Sequence, residues 1–194
     1  MTVSRALLAG AALAGLAFVW GGGADWLVGH GFAAHMLRHS LIVTGIALAI
    51  AAALPAGWRR AVPPALAGAV IEFIAVWGWH LPALHRLAAS HPAWFAAEQA
   101  SFLIAGLLVW AGALHAAHPL IGAGALLLTS MHMTLLGALM VLSRADIYGG
   151  LHGTLADQQL GGLIMLGIGT PVYLIGGLWL TGLALTERNA AEPS

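Results

Sequence analysis

Histidine is the residue type through which this chain is best equipped to do chemistry. The chain has ten histidines, against seven lysines and arginines, and it has no cysteine. His35 and His39 belong to the stretch HMLRH, and a spacing of four places both rings on one helix face, about 5–6 Å apart at Cβ. Such a pair can share a metal ion, whereas the absence of cysteine excludes disulfides and thiolate-bound metals.

Other polar residues on predicted helices can join this pair. His80 and His132 are histidines at the end of, or within, such a helix, and Glu72 and Glu98 are carboxylates. Imidazole and carboxylate with methionine nearby suit copper, zinc or haem iron, and methionine favours Cu(I). A haem would need two axial histidines that face each other, such as His39 and His80. A proton relay through the two glutamates and His132 is a third interpretation.

The overall composition is that of a membrane protein. Hydrophobic residues make up 60% of the 194 residues, charged residues make up 7%, and the mean hydropathy is +0.91. Soluble domains carry about 25% charged residues, so this chain cannot cover a surface that faces water. We therefore expect an integral membrane protein whose surroundings are the lipid bilayer. The net charge of zero offers no attraction for nucleic acid.

Six apolar segments are each about as long as a membrane-spanning helix requires. They cover residues 6–22, 35–54, 64–79, 93–114, 119–142 and 160–183. Short connections between them predict an all-α polytopic transmembrane bundle of about six spanning helices. The single domain covers residues 1–194, with the first helix and an outer loop in 1–33 and a flexible tail in 184–194. The first segment is interpreted as a retained helix, because no A-x-A cleavage site follows it.

Basic residues in short loops predict how the bundle crosses the membrane. Those on the predicted inner side are Arg5, Arg59, Arg60 and Arg188. They favour a multi-pass protein of the bacterial inner membrane with both termini in the cytoplasm. In that orientation most ionisable groups lie in the outer half of the bundle. Polar side chains at membrane depth usually face the bundle interior or a pathway.

A simpler interpretation is that these groups lie at the membrane–water boundary or join helices. It is favoured for His30, His91, His115 and His118, which fall in predicted loops or at their edges. For His85 and the two glutamates the simple and the functional interpretations are balanced. The chain has no serine–histidine–acid triad, phosphate-binding loop or HExxH motif, so it is not expected to be an enzyme.

Four stretches, in order along the chain, resemble one protein family. They read HMLRHSLIV, VWGWHLPALH, EQASFLIAGLLVW and DQQLGGLIM. Over about residues 34–180 the chain resembles the CtaG-type assembly factors of caa-type cytochrome c oxidases. The resemblance implies a multi-helix membrane protein associated with putting copper into the oxidase. By the same resemblance, His35, His39, His80 and Asp157 occupy motif positions.

The chain departs from that family just before the fourth helix. Members often have histidines there, whereas this chain has Phe95 and Gln99 and keeps Glu98. If those histidines matter in the family, this chain uses other ligands, such as His132 and His152.

The predicted function is that of a membrane-embedded oxidase assembly factor, a copper-binding chaperone. The expected metal ligands are His35, His39, His80 and His132. The expected supporting residues are Asp157, Glu72, Glu98 and His152. The pair that opens the second helix takes up the ion, with Cu(I) favoured, and Asp157 orients an imidazole as a hydrogen-bond acceptor.

The expected partners are a respiratory oxidase subunit or a periplasmic copper carrier, and an oligomer is allowed. One alternative is a membrane electron-transfer protein that binds haem b or is linked to quinone. Another is a metal-free structural partner of an oxidase. A Soret band would indicate the haem protein, and bound copper that depends on the histidines would indicate the copper chaperone. Failure of oxidase assembly without the protein, when the protein binds no metal, would indicate the structural partner.

Overall fold

The computed structural model describes residues 3–151 and 153–191, with backbone alone for residues 56, 59, 60 and 189–191. All the regular structure in these residues is helical. The α-helices are α1 (Val3–Trp20), α2 (Gly23–Val28), α3 (Phe32–Leu41), α4 (Ala47–Ala53), α5 (Ala65–Trp79), α6 (Pro82–Ser90), α7 (Pro92–Leu114), α8 (Pro119–Leu142) and α9 (Leu155–Ala191). A π-helical turn, Ile42–Ile46, joins α3 to α4, and a 3₁₀-helix covers Ala56–Ala61.

The expected all-α transmembrane bundle is confirmed. Five helical stretches are long and apolar enough to cross a membrane: α1, the continuous run Phe32–Ala53, α7, α8 and α9. A sixth crossing arises if α5 and α6 are counted together, although the chain bends by 75° between them. His152, and the tail beyond Ala191, lie outside the described residues.

Proline explains where several helices begin. Pro82, Pro92 and Pro119 each lie in the first turn of a helix, where the missing N–H costs nothing. Leu81 precedes Pro82 and is extended, with φ −65° and ψ 132°, as a residue before proline prefers. The α5 helix therefore stops at Trp79, and α6 leaves in a new direction.

The π-helical turn ties the second span to the bundle centre. It leaves the Val43 carbonyl available, and this oxygen accepts hydrogen bonds from Trp110 Nε1 at 3.1 Å and from the Tyr173 hydroxyl at 2.7 Å. The two rings stack, with centroids 5.1 Å apart. A π-turn in a spanning helix frequently marks a functional region. Here it fixes α3 and α4 against α7 and α9.

Glycines in α7 and α9 allow these two helices to approach the second span, Phe32–Ala53, closely. A Cβ on Gly106 of α7 would lie 2.8 Å from the Val43 backbone. A Cβ on Gly161 of α9 would lie 2.5 Å from the Phe32 ring and 2.8 Å from Met36. Small residues at helix contacts are the usual packing device in membranes. Both glycines set the position of the second span.

The last helix is longer than the sequence predicted. It begins at Leu155 rather than at residue 160, and it continues to Ala191 rather than ending at residue 183. Asp157 therefore lies in its first turn and not in the preceding loop. Its carboxylate accepts hydrogen bonds from the backbone amides of Phe32 at 2.6 Å and Ala33 at 3.3 Å. The α9 helix thus caps the N-terminus of α3.

The close contact at Gly106 predicts different effects for two glycine substitutions. Gly106→Ala should lower the free energy of unfolding by about 1–3 kcal/mol, because the new methyl group meets backbone atoms. Gly124→Ala is the matched control, since nothing lies within 4 Å of a Cβ there, and it should be neutral or stabilising. Thermal unfolding of both variants in the same detergent measures the difference. Equal free energies of unfolding in the two variants would contradict the close contact between Gly106 and the Val43 backbone.

The cap on α3 predicts a local change in Asp157→Ala. Amide hydrogen exchange at Phe32 and Ala33 should become faster, because these amides lose their acceptor, and stability should fall by about 1 kcal/mol. Asp146→Ala is the control, since that carboxylate accepts from the amides of Tyr148 and Gly150 within its own loop. If the exchange at Phe32 and Ala33 is unchanged, Asp157 does not hold α3.

Candidate metal site

The histidine pair on α3 faces the interior of the bundle. His35 is 7% exposed and His39 is fully buried. The ring of His39 lies 4.4 Å from that of Phe102 on α7 and 5.2 Å from that of His80 at the end of α5. The two residues share a face of α3, as their spacing predicted, but they contact different neighbours.

The bend after α5 brings a further histidine to this face. Because α6 leaves α5 at 75°, His85 returns towards α3. Its ring lies 4.9 Å from that of His35 and perpendicular to it, and the side chain is 1% exposed. His85 therefore joins the candidate site, whereas the sequence left it balanced between two interpretations.

Glu98 of α7 completes a group that we call the mouth triad: His35, His85 and Glu98. Each residue offers one ligating atom, and the three atoms lie within 4.8 Å of one another. Glu98 Oε1 is 3.5 Å from His35 Nε2, and Glu98 Oε2 accepts a hydrogen bond from Gln99 Nε2 at 3.2 Å. Two imidazoles and one carboxylate that leave coordination positions open are a familiar ligand set for transition metals.

A pocket of about 510 Å³ leads to the mouth triad. The triad forms its buried part, and Asp25, Arg38, His91 and Phe95 contribute to its more exposed lining. Arg38 Nη2 donates to Asp25 Oδ2 at 2.8 Å, and the guanidinium lies 5.7 Å from the centre of the Phe95 ring. Arg38 thus pairs with a carboxylate at the mouth. Solvent can reach the triad through this pocket.

Tyr148, in the loop between α8 and α9, covers the site from another side. Its ring lies 4.4 Å from that of His85 and 4.8 Å from that of Phe32. Its hydroxyl donates to the His80 carbonyl at 3.1 Å. Burial, and to a lesser extent the nearby Glu98 carboxylate, raise the pKa of the Tyr148 hydroxyl. It therefore remains a hydrogen-bond donor at neutral pH.

A second group, which we call the inner cluster, consists of Met36, His39 and His80. His80 Nδ1 lies 2.5 Å from the Val76 carbonyl, and His80 Nε2 lies 3.5 Å from Met36 Sδ. The His80 and His85 rings are stacked with centroids 6.4 Å apart, so the inner cluster lies beside the mouth triad. Of the predicted ligands, His35 thus belongs to one group, whereas His39 and His80 belong to the other.

His132 and Glu72 lie outside the mouth triad, although His132 is close enough to His39 to interact with it electrostatically. The His132 ring packs edge-on against Phe73 of α5, with centroids 5.4 Å apart, and it is not part of the mouth triad. Glu72 is fully buried, and its carboxyl group is hydrogen-bonded to the Tyr173 hydroxyl, which donates to the Val43 carbonyl at the π-turn. Glu72 thus belongs to the polar contacts of the bundle centre.

Asp157 acts on the site through α3 rather than through an imidazole. Both of its oxygens accept from backbone amides of the helix that carries His35 and His39. The next residue, Gln158, holds the covering loop, because its Oε1 accepts from the Ile147 amide at 2.8 Å. The predicted supporting residue His152 lies outside the described residues.

The sequence analysis left His85 balanced between two interpretations and did not single out Tyr148. The signal for His85 was the stretch HLPALH, in which Pro82 separates His80 from His85. A proline at that point predicts a break, but not the direction in which the chain leaves. Tyr148 has no comparable signal, because its position depends on how a loop folds over the bundle.

Comparison with known proteins identifies one family. Residues 1–185 match the family described as cytochrome c oxidase caa3 assembly factor (Caa3_CtaG). No curated protein and no solved structure matches the chain. The family match covers nearly the whole chain and agrees with the resemblance carried by the four stretches quoted above. The chain therefore belongs to the family of the cytochrome c oxidase caa3 assembly factors.

Proposed function

We propose that this assembly factor binds copper at the mouth triad and passes it on during assembly of the oxidase. The observation that carries the proposal is the convergence of His35, His85 and Glu98 at the buried end of an open pocket. The three come from α3, α6 and α7, so only the folded bundle brings them together. Family membership supports copper over other transition metals, because cytochrome c oxidase is the client.

The packing around the imidazoles favours a bare ion over haem. A porphyrin needs a flat slot between two axial ligands. The Phe102 ring lies 4.4 Å from that of His39, and the Phe32 ring lies 5.5 Å from that of His85. These aromatic rings occupy the space beside the histidines. We therefore treat copper as cargo that the protein holds transiently.

The proposed mechanism is ligand exchange, without a catalysed reaction. The Glu98 carboxylate offsets part of the charge of the incoming ion, which lowers the cost of holding it in apolar surroundings. The open pocket leaves a coordination position for a ligand of the donor or of the acceptor. The Arg38–Asp25 pair at the mouth keeps that rim polar and close to neutral.

The proposed setting is the inner membrane of a bacterium, with the pocket opening to the periplasm and both termini in the cytoplasm. The donor is then a periplasmic copper carrier, and the acceptor is an oxidase subunit in the same membrane. The basic residues predicted for the opposite side, Arg5 and Arg188, agree with this orientation.

Substitution of one triad residue should weaken copper binding without unfolding the protein. His85→Ala and Glu98→Gln should each raise the dissociation constant for copper at least ~10-fold, because one ligand of three is lost. His91→Ala is the matched control, since His91 lines the exposed part of the pocket outside the triad. Competition with a chromophoric copper chelator, on purified protein in detergent, measures the constants. Copper affinity that is unchanged in both triad variants would exclude this site.

The same variants should impair the oxidase in cells. In a strain that lacks this protein, a plasmid copy with His85→Ala should leave the membrane-bound oxidase deficient in copper, and added copper should restore part of the deficit. The His91→Ala copy should restore the oxidase fully. If the His85→Ala copy also restores it, the mouth triad is not needed for assembly of the oxidase. A Soret band in the purified protein would point instead to haem.

A further inference from the structure

We propose that the inner cluster is a second metal site, selective for a soft monovalent cation of the Cu(I) class. Met36, His39 and His80 would bind the ion after it leaves the mouth triad. This inference rests on the proposed function for the direction of transfer, but the site itself is argued from its own contacts. The protein would then hold copper at two adjacent positions of different chemistry.

The hydrogen bond of His80 defines which of its ring nitrogens can bind a metal ion. The Val76 carbonyl can only accept, so His80 Nδ1 carries the proton and donates to it over 2.5 Å. In the neutral ring Nε2 then carries no proton, and its lone pair is available to a metal ion. A backbone carbonyl that holds the far nitrogen is the usual support for a metal-binding histidine.

That lone pair faces a sulfur atom. His80 Nε2 lies 3.5 Å from Met36 Sδ, and a thioether sulfur has no proton to donate. Both side chains are buried, with 5% and 0% exposure, so a protonated, charged His80 would be costly there. Two electron-pair donors therefore face each other without a proton between them, which is the arrangement that a cation satisfies.

His39 supplies the third donor. It is fully buried, and among the described residues neither of its ring nitrogens has a hydrogen-bond partner. Buried polar atoms of this kind are rare and call for an explanation such as an ion. His39 lies three residues after Met36, on the same face of α3, and its ring is 5.2 Å from that of His80.

The donor set and its surroundings select a monovalent ion. The inner cluster has one thioether and two imidazoles and no carboxylate, and thioether sulfur favours Cu(I) over Zn²⁺. In an apolar medium the desolvation cost grows with the square of the charge, so a divalent ion costs about four times as much as a monovalent one of equal size. The mouth triad, with its carboxylate, accepts either charge.

Titration with Ag(I), a redox-inert substitute for Cu(I), tests the second site on the full-length protein in detergent. Native mass spectrometry should find two Ag(I) per wild-type chain and one per chain in Met36→Leu. Met133→Leu is the matched control, because Met133 is equally buried but packs against Gly169 of α9. It should retain two. Zn²⁺ should bind once in all three proteins, which also verifies that Met36→Leu has folded.

X-ray absorption at the silver edge gives a readout that needs no substitution. Ag(I)-loaded wild-type protein should contain a sulfur neighbour, which selenomethionine labelling should convert into a selenium neighbour. The absence of that neighbour, or two Ag(I) per chain in Met36→Leu, would overturn the second site. The failure of the proposed function is distinguishable: Glu98→Gln and His85→Ala would then leave Zn²⁺ and Ag(I) binding unchanged, while Met36→Leu would still lose one Ag(I).

Discussion

The hydrogen bonds from the α3 amides to Asp157 are the contact on which the arrangement of the site depends. The first amides of a helix have no partner within it, so a partner must come from outside the helix. Asp157 satisfies those of Phe32 and Ala33 from the first turn of α9. This fixes the rotation of α3, and with it the direction in which its histidines and methionine project.

Polar side chains elsewhere in the bundle interior also depend on partners that the protein supplies. Trp110 and Tyr173 are bonded to a backbone atom, the Val43 carbonyl, whereas the histidines of α3 are grouped with other histidines. The mouth triad and the inner cluster differ in their donor atoms and in their access to solvent. The mouth triad includes a carboxylate and an open pocket, whereas the inner cluster includes a thioether and is closed.

The fold followed from hydropathy alone, because a chain with 7% charged residues has few ways to place them. The pairing of His35 and His39 on one face followed from helix periodicity. Their separation into two groups did not, because it depends on the 75° bend that carries His85 back to α3. The role of Asp157 was also out of reach, since it required α9 to begin at Leu155 rather than at residue 160.

The brevity of α5 has a consequence for the surrounding lipid. Its 15 residues rise about 22 Å, whereas the hydrocarbon core of a bilayer is about 30 Å thick. The chain therefore breaks at His80 below the level reached by α7, which has 23 residues. Local thinning of the bilayer is one way in which a short hydrophobic span is accommodated. Thinning beside α5 would let the aqueous phase approach a site that is surrounded by apolar helices.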